Sequence, residues 1–142
     1  MSASDQRLYF LLQLVAHRLK KKADGALLEV AGISTSQAAV LSIIAAHDGV
    51  TQQYIAQQLS QRESAITTMT ERLSKANYIS RAKSATDGRA WELRVTQSGR
   101  NALKKISGPF SEINGILDDS LKPGGAKRMA DALMAILKSL DT

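Results

Sequence analysis

The sequence predicts a mainly α-helical fold with one small β hairpin. Three observations carry that expectation. Apolar residues recur at helical spacing through most of the 142-residue chain. An Asp-Gly pair, Asp87-Gly88, lies between two short segments that alternate with period two. Two helical patterns just before that hairpin are separated only by Ser60 and Gln61. With 44% apolar residues the chain is long enough for one cooperative domain with a real core, and too short for two large independent ones.

The first periodic segment is Asp5 to Lys22, where Leu8, Leu11, Leu12, Val15 and Leu19 form a stripe and Lys20, Lys21 and Lys22 suit a carboxyl-terminal turn. Ala23 to Ile33, with two glycines and small residues, is expected to be a connection with at most a short turn of helix around Leu27 to Val30. Ser34 and Gln37 make a capping box that opens a helix through Val40, Leu41, Ile43 and Ile44, stopping near His47-Asp48-Gly49. Thr51 caps a third, shorter helix with Ile55, Ala56 and Leu59 facing inward. A fourth helix follows, carrying Ile66, Met69 and Leu73 and ending at Ala76-Asn77-Tyr78, where Asn77 can take the left-handed conformation.

Two strands come next, around Ile79 to Lys83 and Ala90 to Val95. Thr96 caps a fifth helix to about Ser107, where Gly108-Pro109 breaks or bends it before a helical piece over Phe110 to Asp118. After Pro123-Gly124-Gly125, a last stripe is formed by Met129, Leu133, Ile136, Leu137 and Leu140. Two helices joined by a very short turn and followed directly by a hairpin constitute a helix-turn-helix with a wing.

Composition removes several function classes. The chain has no cysteine, which excludes disulfides, thiolate metal sites and thiol redox sensing. His17 and His47 are far apart and lack neighbouring ligand types, so neither a metal nor another cofactor is expected. No nucleophile elbow or base-nucleophile arrangement marks an enzyme. No run approaches the length of a membrane span and no signal-peptide pattern opens the chain, so a cytoplasmic location without a membrane partner is expected.

The formal net charge is +6, and it is concentrated. Between Ser60 and Lys105 there are ten Lys or Arg against four acids, whereas the remainder has nine of each. A neutral body with one basic segment suits a polyanion-binding surface. If Ile66, Met69 and Leu73 define the buried side of the fourth helix, then Ser64, Thr67, Thr68, Glu71 and Lys75 lie opposite. Short hydroxyl side chains are weak helix formers, so their presence favours a face used for contact, slim enough for a DNA major groove. Arg62 lies at the amino-terminal edge of that helix, and Arg72 and Lys75 lie further along.

These segments resemble the MarR family of winged helix-turn-helix transcriptional regulators. Thr51-Gln-Gln-Tyr-Ile55-Ala56-Gln-Gln-Leu59 matches the family's Thr-x-x-x-Leu-Ala-x-x-Leu with Ile for Leu. SAITTMTERL, ending at Leu73, matches its recognition helix, with Ala65-Ile66-Thr67 at the Thr-Val-Thr step. Asp87-Gly88-Arg89 matches the wing's Asp-x-Arg, and Val95-Thr96-Gln97-Ser98-Gly99 matches Leu-Thr-x-x-Gly apart from Val. The likeness covers about Ser34 to Arg100. Ala65 replaces a frequent hydroxyl, and Asn77 replaces the usual glycine.

The resemblance implies a division into an N-terminal dimerisation helix and connection at 1–33, a winged DNA-binding domain at 34–100 and C-terminal dimerisation helices at 101–142. It assigns Arg62, Ser64, Ala65, Thr67, Thr68 and Glu71 to the major groove, Arg72, Lys75 and Arg81 to the DNA backbone, and Lys83, Asp87 and Arg89 to the wing and minor groove. Asp87 is expected to steady the wing by pairing with a base such as Arg81, and Trp91 to be a core or interface aromatic. The implied protein is a homodimeric repressor on double-stranded DNA at an inverted repeat, with release by a small aromatic or phenolic effector as in many relatives. The terminal stripes can instead pair inside one chain, and a protein-binding winged helix without specific DNA recognition is the alternative.

Overall fold

The structure, a computed structural model, describes residues 3–85, 88 and 90–141. The chain divides into two compact units, Met1–Ser107 and Gly108–Thr142.

In the first unit, α1 spans Ala3–Ala31, α2 Thr35–Ala46, α3 Gln52–Gln58 and α4 Glu63–Lys75. The strands are β1 (Val50–Thr51), β2 (Ile79–Lys83) and β3 (Trp91–Val95), and α5 (Gln97–Ser120) begins here. The core is built from Leu27, Val40, Leu41, Ile44, Ile55, Ile66, Leu73 and Leu93, all with no exposed surface. Each such side chain contributes about 1.5–3 kcal/mol on leaving water.

The segment 23–31, expected as a connection, is helical. Gly25 costs about 1 kcal/mol against alanine in a helix, but Ala23 and Leu27, four residues apart, are both buried and hold α1 to the core. The helix stops at Gly32, whose φ is +69°. Asp24 then fastens α1 to the start of α2. Its Oδ1 accepts hydrogen bonds from the Thr35 amide and the Thr35 hydroxyl, each at 2.7 Å, and its Oδ2 pairs with Lys20 at 3.1 Å. The expected capping box is formed, with the Gln37 amide donating to Ser34 Oγ and the Ser34 amide to Gln37 Oε1.

Burial raises the pKa of the Asp24 carboxyl, but the Thr35 hydrogen bonds and the Lys20 ammonium outweigh it and hold the group below its ordinary value of 3.8. A depressed folded value stabilises the protein above the unfolded value and ceases to do so as pH falls through the folded one. Asp24→Ala should therefore cost about 2 kcal/mol at neutral pH. In paired urea titrations the gap to the parent protein should narrow as pH falls below the ordinary carboxyl value of 3.8; a gap independent of pH would deny the carboxylate this role.

The sheet has three strands in the order β1-β3-β2, all antiparallel, where the sequence suggested only a hairpin. β1 is two residues long and pairs Val50 with Leu93 across the chain. A strand that short has no periodicity to detect. Turn chemistry follows expectation more closely: Thr51 caps α3 through the Tyr54 amide, Gly49 has φ +80°, and Asn77 is left-handed at φ +64°. Leu59 is half-buried rather than inward-facing, at the C-cap of α3.

Of the break or bend expected at Gly108-Pro109, the break does not occur. α5 runs through Pro109, and burial of Ile106 and Ile113 to either side offsets the backbone hydrogen bond that proline cannot donate. In the second unit α6 spans Gly125–Leu140 after a left-handed Gly124, and none of its residues is buried. Leu117, Leu121, Met129 and Leu133 line a groove of about 430 Å³ between α6 and the end of α5. No single helix among the described residues is long and apolar enough to cross a membrane.

Candidate nucleic-acid interface

Helix α4 buries Ile66, Thr70 and Leu73. The sequence placed Met69, not Thr70, on that side; Met69 is half-buried and Thr70 is fully enclosed. A polar side chain is tolerated there because both its hydrogen-bonding capacities are used. The Thr70 hydroxyl accepts from Gln52 Nε2 at 3.0 Å and donates to the Thr67 carbonyl at 3.0 Å.

The shift rotates the outward ridge of the helix. Stepping 100° per residue from the Ile66-Thr70-Leu73 stripe, the opposite side is occupied by Ser64, Thr68, Glu71, Arg72 and Lys75, and all five are exposed. Thr67 falls on the flank. It is half-buried, and its hydroxyl lies 2.8 Å from Gln52 Oε1 and 3.0 Å from the Glu63 carbonyl. Ala65 is also half-buried. Gln52, in the first turn of α3, thus ties the two helices together through one side-chain amide. Its role was missed because it depends on two residues more than a dozen positions away, and no local pattern marks it.

Arg62 is the N-cap residue of α4, exposed and making no side-chain cap hydrogen bond. The backbone amides of the first turn accordingly lack a capping side chain from it, and its guanidinium is free to extend from the helix start. Thr68 donates back to the Ser64 carbonyl at 3.2 Å, which leaves its oxygen lone pairs and methyl group on the outer surface.

Beyond α4 the chain turns at Asn77 and enters β2. Thr96 closes the motif from the other side: its hydroxyl donates to the Asn77 carbonyl at 2.7 Å and accepts from the Gly99 amide at 3.0 Å. The Thr-x-x-Gly pattern is therefore a cap on α5 that also fastens the wing to the end of α4. Tyr78 joins the same junction to α1 by donating its hydroxyl to the Ala31 carbonyl at 2.7 Å.

In the wing, Arg81 and Lys83 are exposed on β2. Asp87 and Arg89, the residues expected to steady and tip the wing, lie outside the described residues, and so does the expected pairing of Asp87 with Arg81. Trp91, expected in a core or interface, is 42% exposed within the chain. Arg94 belongs to the basic segment by sequence but is ion-paired with Asp48 and lies 3.8 Å from Glu92. Its charge is thereby largely balanced.

His47 packs edge-on against Tyr54, with ring centroids 5.3 Å apart. Among the described residues no group of three or more His, Cys, Asp or Glu is placed to hold a metal ion.

A sequence model described as the MarR family matches residues 31–90, which contain α2, β1, α3, α4 and β2. Over that stretch the chain strongly resembles MarR-family winged helix-turn-helix proteins. Similar folds extend over nearly the full length. MepR of S. aureus, solved as a complex with DNA, is 26% identical over 98% of each chain, with a TM-score of 0.84. The MarR-family regulator Sco3205 from Streptomyces coelicolor, also solved with DNA, has a TM-score of 0.90 at 19% identity, over 100% of this chain and 91% of its own. The transcriptional regulator SlyA has a TM-score of 0.83 at 17% identity, over 94% and 93%. The latter two establish fold alone. Among curated protein sequences none matches significantly.

Proposed function

We propose that the chain is a sequence-specific, DNA-binding transcriptional regulator that acts as a homodimeric repressor in the cytoplasm, on an inverted-repeat operator. The observation that carries the reading is the exposed ridge of α4. Ser64, Thr68, Glu71, Arg72 and Lys75 line one side of a helix anchored by Ile66, Thr70 and Leu73, next to a wing bearing Arg81 and Lys83. Short side chains lead and longer charged ones follow, as suits a helix whose amino-terminal part reads base edges while later residues reach phosphates. MepR and Sco3205, similar in fold, were both solved with DNA.

In this reading Ser64 and Thr68 read bases, with Arg62 and Glu71 at the groove edges, and Arg72, Lys75 and Arg81 contact phosphates. Lys83 and Arg89 serve the wing, where a narrow minor groove concentrates negative potential and attracts a cation, and Asp87 steadies it. Ala65 lines the helix without a polar contact. Thr67 holds Gln52 rather than a base. Residues 1–33 and 101–142 supply the dimer around the winged domain at 34–100, and a small aromatic or phenolic effector releases the operator.

Selection of bound duplexes from a genomic pool tests the reading and returns the operator. One inverted repeat should be enriched, with binding that falls steeply as salt rises. Enrichment of no sequence, with little salt dependence, would leave a protein-binding winged helix. On the selected operator, Ser64→Ala and Thr68→Ala should each change discrimination at particular base pairs by about 1–3 kcal/mol. Thr67→Ala should instead lower stability by about 1 kcal/mol through the orphaned Gln52, with base preference retained. Altered preference in Thr67→Ala alone would reverse this assignment.

A further inference from the structure

Trp91 is the single tryptophan of the chain and stands on β3. Side chains alternate along a strand, so Trp91, Leu93 and Val95 share one face. The register puts Lys83 opposite Trp91 and Arg81 opposite Leu93 on that same face. At its base Ile79 and Leu93 are buried in the core. At its outer end the indole is met by two cations: Arg81 Cζ lies 5.6 Å and Lys83 Nζ 5.9 Å from the ring centroid.

Among the described residues neither cation has a carboxylate partner, whereas Arg94 on the opposite face is paired with Asp48 and Glu92. The difference matters chemically. A carboxylate restrains a cation and cancels its charge. An aromatic face restrains it through its quadrupole and leaves the charge intact. Restraint also lowers the rotamer entropy that a long side chain loses when it engages a ligand.

We propose that Trp91 is a positioning residue that holds Arg81 and Lys83 together as a preorganised pair of phosphate contacts on the wing. This rests on the duplex-binding reading above and assigns the indole a role other than base stacking, since cations already occupy its surroundings. Binding energy comes from the two cations, and Trp91 contributes by keeping both on one face of the sheet.

The test uses the full chain and a duplex carrying the selected operator, with unrelated duplex in parallel. Trp91→Leu retains apolar bulk and removes the quadrupole. It should weaken both duplexes about 5- to 10-fold at roughly 0.1 M salt and flatten the salt dependence by about one unit, and Trp91→Phe should recover most of the loss. In the Arg81→Ala/Lys83→Ala background, Trp91→Leu should have no further effect.

Quenching of the lone tryptophan is an independent readout in the free protein. Cations beside the ring gather iodide and repel caesium, so iodide should quench the parent roughly two-fold more strongly relative to caesium than it quenches the double variant. An unchanged ratio would overturn the cation–ring arrangement. Duplex binding by the parent together with parental affinity and salt slope in Trp91→Leu would overturn the positioning role alone. A parent that binds neither duplex would overturn the regulator reading and this inference with it. An effect of Trp91→Leu confined to one base pair would make the ring a base reader and overturn positioning.

Discussion

Gly99→Ala is expected to destabilise the fold by about 3 kcal/mol or more, well beyond an ordinary helix substitution. A Cβ at this position would lie 2.2 Å from the Tyr78 carbonyl oxygen and 2.7 Å from Val95 Cγ2. The first of these is backbone and is held on every side. Tyr78 O accepts the Thr96 amide at 3.0 Å, the Tyr78 amide donates to the Leu73 carbonyl at 3.0 Å, and the Tyr78 hydroxyl is bonded to α1. Relief would require α5 to move away from the end of α4, breaking the Thr96 bridge between them. Chemical denaturation measures the loss, and a midpoint close to that of the parent would show that the junction yields more easily than its hydrogen bonds imply. Gly108→Ala is the natural control, since a Cβ there meets nothing within 4 Å.

If the chain forms the proposed dimer, Leu12→Glu and Leu133→Glu are expected to yield folded monomers and to reduce affinity for the proposed operator about 100-fold or more. The first part of α1 exposes Leu8, Tyr9, Phe10, Leu11, Leu12, Leu14 and Val15, and α6 exposes Met129, Leu133, Met134, Ile136, Leu137 and Leu140. Apolar surface on that scale is characteristic of an interface in water. Leu12 is 47% and Leu133 40% exposed within the chain, so a charge at either site should leave the secondary structure unchanged and act on association. Once one half-site is occupied, binding of the second is nearly intramolecular, and its loss removes an enhancement on the order of 10²–10⁴. Sedimentation at micromolar concentration reads the oligomeric state, and titration of the operator reads the affinity. A parent that sediments as a monomer while binding the complete inverted repeat at full strength would remove the dimer from the proposal.

The sequence by itself determined every feature whose cause is local. Ser34 with Gln37, Thr51 before Tyr54 and the left-handed Asn77 all follow from side chains acting on backbone a few residues away. The short turn between α3 and α4, read as Ser60-Gln61 where four residues intervene, the two wing strands and the outward placement of Ser64, Thr68, Glu71 and Lys75 were likewise legible in spacing and pattern. Tertiary structure decided what depends on distant partners. Burial of Ala23 and Leu27 extended α1 across a glycine, and burial beside Pro109 carried α5 past a proline, because core contacts outweigh a propensity difference of one residue. Val50 became a strand only through Leu93. Gln52 made Thr70 the buried residue and turned Thr67 away from the outer ridge, since an enclosed hydroxyl is stable only where another part of the fold supplies its hydrogen bonds. Trp91, apolar in composition, came to the surface because its strand outruns the core and meets Arg81 and Lys83 instead.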